Sequence, residues 1–200
     1  YNGIRLPEQW PPVRSSSSEL EKGMSPFYLS DKPSVINISV GRQLFVDNFL
    51  IESTNLKRTF YYPEYYSGNP ILTPEQDWEK TGTKGAAFAA PFSDGVWYDE
   101  KEGKYKMWYM AGGGSYATSG AGVTCYAEST DGIHWTKPTL SVVAGTNIVD
   151  YNSERDASVI WLDKQESNAS KRYKMFLAAR ESGKWRYRYK TSPDGKVWRA

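Results

Sequence analysis

The strongest periodic signal along the chain has a repeat of two residues. Residues 95–111, "GVWYDEKEGKYKMWYMA", carry two short apolar-aromatic runs around a charged turn. Runs of this length, rich in Val, Trp and Tyr and bounded by turn residues, predict a pair of antiparallel strands. The same plan returns at 158–179, "SVIWLDKQESNASKRYKMFLAA", with a longer turn, so that Tyr105-Lys106-Met107 is echoed by Tyr173-Lys174-Met175. A third alternating run follows each pair, "GVTCYAES" at 122–129 and "WRYRYKTS" at 185–192. Each run then closes on the phrase Ser-x-Asp-Gly-x-x-Trp, "STDGIHW" and "SPDGKVW", at an offset of 63 residues. Trp135 and Trp198 are read as opening a fourth strand in each unit.

Four antiparallel strands in about 60 residues are the size and plan of one propeller blade. The fold class predicted is therefore all-β, a β-propeller of four-stranded antiparallel blades. A lone blade cannot bury both faces of its sheet, and propellers typically stack about four to eight of them. Only about two are visible, at 85–140 and 141–200, and the second stops soon after Trp198. The expected partners therefore include missing blades from the rest of the protein. In the shared phrase, Gly supplies a positive φ and Asp bonds back to the local backbone. The Trp is expected to pack between neighbouring blades, on the rim away from the mouth of the axial funnel.

Upstream the pattern weakens. Residues 1–34 hold "WPPVRSSSSELEKG" with further prolines at Pro7, Pro26 and Pro33, and read as an irregular N-terminal arm. Residues 35–84 read as a lead-in of strands and long loops. Within it "VINISV" alternates, "QLFVDNFLIE" suits a strand pair or a short helix, and "LKRTFYYPEYYSGNPIL" cannot hold a helix across its prolines.

Composition narrows the classes. With 39% hydrophobic and 24% charged residues in 200, the chain is globular and large enough for a real core. A net charge of +2 gives no footing for nucleic acid, and "KWRYRYK" at 184–190 reads as a strand with one packed aromatic face and one solvated face. Fifteen Tyr and eight Trp suit half-buried strands and sugar-contacting surfaces alike. Cys125 is the one cysteine, which forbids an internal disulfide, and His134 is the one histidine, which removes a multi-histidine metal site. No metal or cofactor is predicted. No run reaches the length of about 18 apolar residues that a membrane span needs. The start at Tyr1 fits a processed N-terminus.

The blade phrasing, "YKMWY" in strand two and "YAESTDGIHWTKP" at the turn between strands three and four, preceded by "LFVDNFLIES" and "NPIL", resembles a known superfamily. It is that of the five-bladed propeller enzymes of glycoside hydrolase families 32 and 43, of invertase, levanase and arabinanase type, and the likeness spans roughly residues 41–200. The resemblance implies an oligo- or polysaccharide substrate, a secreted, periplasmic or cell-surface location, and three carboxylates in the axial funnel. A calcium ion on the axis, as some relatives hold, has no sequence signature here.

Transferred residue by residue, "SERDASVIW" places Arg155-Asp156 where the family's Arg-Asp pair opens the second blade, with Ala157 for the usual proline. That aspartate grips sugar hydroxyls and stabilises the transition state in the family. In the first blade, "AAPFSDGVWYD" puts Ala89, Ala90 or Pro91 in the nucleophile's slot, and Asp94 is the nearest carboxylate. The family's third carboxylate would fall beyond Ala200. Hydrolysis of a glycosidic bond needs two carboxyl groups across it, so the absent first-blade match leaves a non-catalytic carbohydrate-binding or structural propeller as the alternative.

Strand direction adds independent candidates. With strand one starting at the funnel mouth, the loop between strands two and three and the inter-blade run both lie there. Mouth-facing substrate contacts are then expected from Tyr116, Asn147, Asp150, Arg180 and Glu181, around the candidate catalytic Asp156 and Asp94; the resemblance adds Arg155, as a donor to sugar hydroxyls, the ion-pair partner of Asp156 or a structural residue.

Overall fold

The computed structural model of the chain describes residue 8 and residues 33–39, 43–45, 47–48, 50–80, 87–117, 122–151 and 154–200. The chain divides into two compact units, Tyr1–Tyr62 and Pro63–Ala200. Apart from residues 8, 33 and 34, the expected N-terminal arm lies outside the described residues.

The strands expected within 35–84 do not form among the described residues there; the one regular element is a single-turn helix, α1, at Asp77–Lys80. Alternation alone is not enough for a strand, because each needs a neighbour to pair with. Val35, Leu44 and Leu56 are exposed, and Pro63 and Pro70 each remove a ladder donor from the aromatic run.

The second unit is all-β. Its first sheet has the order β1 (Ala89–Asp99), β2 (Lys104–Ala111), β3 (Val123–Ser129), β4 (Ile148–Asp150), antiparallel throughout. Its second sheet is β5 (Glu154–Leu162), β6 (Tyr173–Glu181), β7 (Lys184–Ser192), also antiparallel. The fourth strand of the first sheet is entered one residue after Trp135, where Thr136 bridges Glu128. The chain then leaves the sheet and returns as Ile148–Asp150, past the boundary expected at 140, pairing with the far end of β3. In the second sheet Arg199 bridges Thr191, the same first step.

Both Asp-Gly turns are built alike. Ser129 Oγ accepts from Gly132 N–H at 2.9 Å and Asp131 Oδ1 accepts from the N–H groups of Ile133 and His134, each at 2.8 Å. Ser192 and Asp194 repeat this with Gly195, Lys196 and Val197. Gly132 and Gly195 sit at φ +77° and +79°, a region that costs other residues about 1–2 kcal/mol.

The two sheets pack face to face. Between them lie Trp108, Tyr126 and Val149 of the first and Ile160, Leu162, Tyr173, Met175 and Leu177 of the second, all buried, with Trp198 packed against them. Each large apolar side chain so buried contributes about 1.5–3 kcal/mol. Alternation sends Met107, Tyr109 and Cys125 to the opposite face of the first sheet, where Leu72, Trp78 and Trp135 cover them. Polar bonds fix the angle between the sheets. Trp97 Nε1 donates to Ile160 O at 2.6 Å and Trp108 Nε1 to Gly195 O at 2.7 Å. Side chains at Gly195 are excluded by the Trp108 ring, which a Cβ there would strike. Asp99 is fully buried and takes Arg172 bidentately at 2.7 and 2.8 Å, Lys106 at 3.1 Å, and the Tyr173 hydroxyl. Burial alone would raise the Asp99 carboxyl, but Arg172, Tyr173 and Lys106 outweigh it and hold it well below the usual carboxylate range.

Candidate functional site

At one end of the second unit the starts of β1 and β5 lie beside the β2–β3 connection, the end of β4 and the β6–β7 turn. Register sets this directly, since Ala89 pairs with Ala111, Ala111 with Val123, Thr124 with Asp150, and Glu154 with Arg180. Every candidate from the sequence except Asn147 falls within a few residues of this end.

Both opening strands bulge here. Between Ala90 and Gly95 the register of β1 against β2 shifts, and between Arg155 and Ser158 so does that of β5 against β6. A bulge re-aims side chains and commonly adjoins a site. Asp94 lies in the first and Asp156 in the second, but their surroundings are opposite.

Asp94 is fully buried. Arg155 Nη2 lies 3.1 and 3.2 Å from its two carboxylate oxygens, and Ser158 Oγ donates to Oδ1. Arg155 also donates to Thr124 Oγ1 at 2.6 Å and to the Asp156 carbonyl at 3.2 and 3.3 Å. Ser93 Oγ adds a bond to Ser158 O at 2.8 Å. This is a closed clamp between β1, β3 and β5. Asp94, the candidate catalytic group, and Arg155, the candidate substrate contact, thus form a buried ion pair that ties the two sheets together.

Asp156 is the reverse. Its carboxylate is exposed and, among the described residues, has no hydrogen-bond or ion-pair partner, while its carbonyl is held by Arg155. The bulge that locks its backbone leaves the carboxylate projecting. Such a group can accept hydrogen bonds without breaking a protein contact.

The remaining candidates divide. Asn147 is buried and its amide is consumed: Nδ2 donates to Tyr109 OH at 2.6 Å and to Tyr126 O at 2.7 Å, and Oδ1 accepts from Trp78 Nε1 at 3.0 Å. Asp150 is likewise buried against Lys190, at 2.6 Å. Both candidate substrate contacts are buried because the inter-blade run returns to the edge of the first sheet, where Ile148–Asp150 pairs with β3. Arg180 and Glu181 stay at the surface, Arg180 with Glu154 at 3.6 Å and Glu181 with Arg188. Tyr116 is at the surface in a one-turn helix, Gly114–Tyr116, where it lines a cleft of about 250 Å³ with Asp77, Trp78, Gly114 and Ser115. Gly113 N–H bonds to Trp78 O at 2.7 Å and so holds that connection against α1.

Sequence reasoning missed Glu79. It is buried, receives the N–H groups of Glu75 and Gln76 at 2.8 and 2.9 Å, Tyr109 OH at 2.6 Å and Lys137 Nζ at 2.8 Å. The reach back to the N–H of the capping residue is the Glu half of a capping box. Burial pushes the carboxyl up, but the Gln76 N–H, Lys137, Tyr109 and Glu75 bonds prevail and lower it. Burial raises the neighbouring Cys125 thiol, and it stays an inert core group. Among the described residues, no three His, Cys, Asp or Glu side chains gather in a way that would hold a metal ion, and no helix is long and apolar enough to cross a membrane.

No family model matches the chain, and no curated protein does. Among solved structures, it is similar to a variant fructofuranosidase from Schwanniomyces occidentalis complexed with fructosylnystose, at 16% identity over 64% of this chain, with a TM-score of 0.45. It is also similar to a protein solved as an RGII complex and to a glycoside hydrolase, each at 21% identity over 56% of this chain, with TM-scores of 0.32 and 0.33. The chain spans about 24% of the fructofuranosidase and 37% of each of the other two. These likenesses are to parts of larger folds.

Proposed function

We propose that the protein is carbohydrate-active, of the glycoside hydrolase-like type, and that Asp156 is the carboxylate its two sheets contribute to an axial sugar site. The observation that carries this is the contrast within one pair of bulges, in which Asp94 is sealed by Arg155 while Asp156 is held by its backbone and left open. Support comes from the sequence resemblance, which places Asp156 at the family's hydroxyl-gripping aspartate, and from the aromatic cleft of Tyr116 and Trp78. Asp77 beside that cleft suits the same ligand, since sugars combine apolar faces with hydroxyl edges. Export to the cell surface or beyond belongs to the same reading.

Chemistry follows from the count of open carboxylates. General acid–base cleavage needs a second carboxyl across the glycosidic bond, and the Asp94 carboxylate is buried and engaged by Arg155 and Ser158. The second reading, a carbohydrate-binding propeller without hydrolysis, is favoured by that burial. One experiment separates them. The native-length protein is assayed on a panel of fructan, arabinan and other glycan oligomers for reducing ends and, in parallel, for binding by calorimetry. Hydrolysis that falls at least about 100-fold in Asp156→Asn, with melting temperature unchanged, supports the first reading. Binding without hydrolysis, weakened by the same substitution, selects the second. Neither activity nor binding on any glycan overturns both.

A further inference from the structure

On the face of the first sheet turned away from the second, four polar side chains form a circuit that begins and ends on α1. Trp78 Nε1 donates to Asn147 Oδ1 at 3.0 Å, Asn147 Nδ2 donates to the Tyr109 hydroxyl at 2.6 Å, and that hydroxyl donates to Glu79 Oε1 at 2.6 Å. Glu79 follows Trp78 in the chain, which closes the loop. The bonds can run in one direction only. An indole N–H donates and a carboxylate accepts, and Asn147 Nδ2 also donates to Tyr126 O at 2.7 Å, which fixes the amide between them. Backbone bonds hold the same two residues, Gly113 N–H to Trp78 O at 2.7 Å and Phe88 N–H to Glu79 O at 3.0 Å.

Core packing alone does not call for such a circuit. The indoles of Trp97, Trp108 and Trp135 each reach a backbone carbonyl directly, and a buried polar network is costly unless every member is satisfied. Trp78 differs in having a second surface. It is half-buried, packs on the core of this face, and lines the cleft with Asp77, Gly114, Ser115 and Tyr116. At about 250 Å³ the cleft is smaller than the roughly 300–1,000 Å³ that drug-sized ligands occupy, so it suits one sugar ring and not a run of them. With its N–H consumed by Asn147, the indole offers the cleft only its apolar ring, the part on which the apolar face of a sugar packs.

We propose that Glu79, Tyr109 and Asn147 are positioning residues, holding Trp78 at the angle at which it stacks on one sugar ring in this cleft. This role rests on the carbohydrate-active reading above. Asn147, a substrate contact in the sequence reading, then acts on the sugar through Trp78 and does not touch it.

The native-length protein and the same glycan panel test this, with binding followed by calorimetry. Trp78→Ala and Tyr109→Phe are each expected to weaken binding about tenfold. In the double variant Tyr109→Phe should add nothing to Trp78→Ala, because its effect passes through the indole. Full additivity overturns the proposal, as does a Tyr109→Phe affinity within about twofold of the wild type's. Binding that Asp156→Asn weakens and Trp78→Ala does not overturns the positioning role and leaves the carbohydrate reading standing. Binding of no glycan overturns both. A further readout separates aim from general loosening. The Trp78 indole N–H should exchange with solvent several-fold faster in Tyr109→Phe, while that of Trp108, bonded to Gly195 O, keeps its rate. Equal acceleration of both indoles overturns the proposal. Hydroxyl-radical footprinting of the wild type needs no variant to fold. Saturating glycan should slow oxidation of Trp78 and Tyr116 several-fold and leave Trp161 unchanged; unaltered oxidation of Trp78 overturns the proposal.

Discussion

The two sheets of the second unit share a sequence plan, a register and a turn, yet the same positions carry load in one and stand in solvent in the other. Asp99 and Asp163 show it best. Each stands at the close of an opening strand, and each is paired with the Lys of the neighbouring strand. Asp99 has in addition Arg172 and Tyr173 from the adjoining sheet and is fully buried. The difference teaches that a repeat supplies the chemistry of an interface, and that stability is realised only where a second sheet closes over it.

Removing the two aspartates in turn is the strongest way to break this comparison. Asp99→Ala leaves Lys106 buried with only Glu102 for a carboxylate partner, and stripping one member from a buried charge set costs about 3–5 kcal/mol. Asp163→Ala removes one of the two carboxylates from Lys174 near solvent and should cost a small fraction of that. Urea midpoints at constant m-value measure both. Equal losses would mean that the two faces are not in different states.

The other face of the first sheet sharpens the comparison through pH. Glu79 closes it by gathering Tyr109, Lys137 and two backbone N–H groups around one carboxylate. The second sheet's outward face has no such lid among the described residues. Its depressed pKa means that Glu79 binds a proton more readily unfolded than folded. It therefore contributes stability fully above the ordinary carboxylate range, and that contribution is lost as pH falls through and below it. Asp99 acts with the same sign. Glu79→Gln is expected to lower stability at neutral pH by about 1.5–3 kcal/mol, the worth of a hydrogen bond to a charged group. Its melting temperature should also fall less steeply than the wild type's as the solution is acidified. A parallel pair of curves would remove Glu79 from the acid response.

Much of the fold is legible because its signals are local. β2, β3, β6 and β7 are found within one or two residues of their alternating runs, and the turns follow from Ser-x-Asp-Gly alone. The fourth strand is displaced because its pairing partner is the far end of β3, and nothing local in the run after Trp135 announces a return at Ile148. The site divides in the same way. The exposed Asp156 falls in the local run that forms β5, but the burial of Asp94 depends on Arg155, 61 residues away, and that of Asn147 on Tyr109 and Trp78. A polar residue near a turn looks the same in sequence whether its partner is water or a buried side chain.

The smallest expected effect separates the two copies of the tryptophan that ends the shared phrase. In the first turn Trp135 Nε1 donates to Gly132 O at 3.1 Å. In the second, the equivalent carbonyl of Gly195 is taken by Trp108 from the adjoining sheet, and Trp198 Nε1 is buried with no partner among the described residues. The bond between sheets has displaced the bond within the turn. Trp135→Phe should therefore lose about 0.5–1.5 kcal/mol for the hydrogen bond on top of the lost ring volume. Trp198→Phe should lose the volume term alone, partly offset because an unpaired N–H no longer has to be buried. The quantity to measure is the gap between the two variants in urea unfolding, with Trp135→Phe the more destabilised. A gap of zero or of opposite sign would show that the Gly195 carbonyl serves both indoles, and that the exchange of partners between the two turns does not occur.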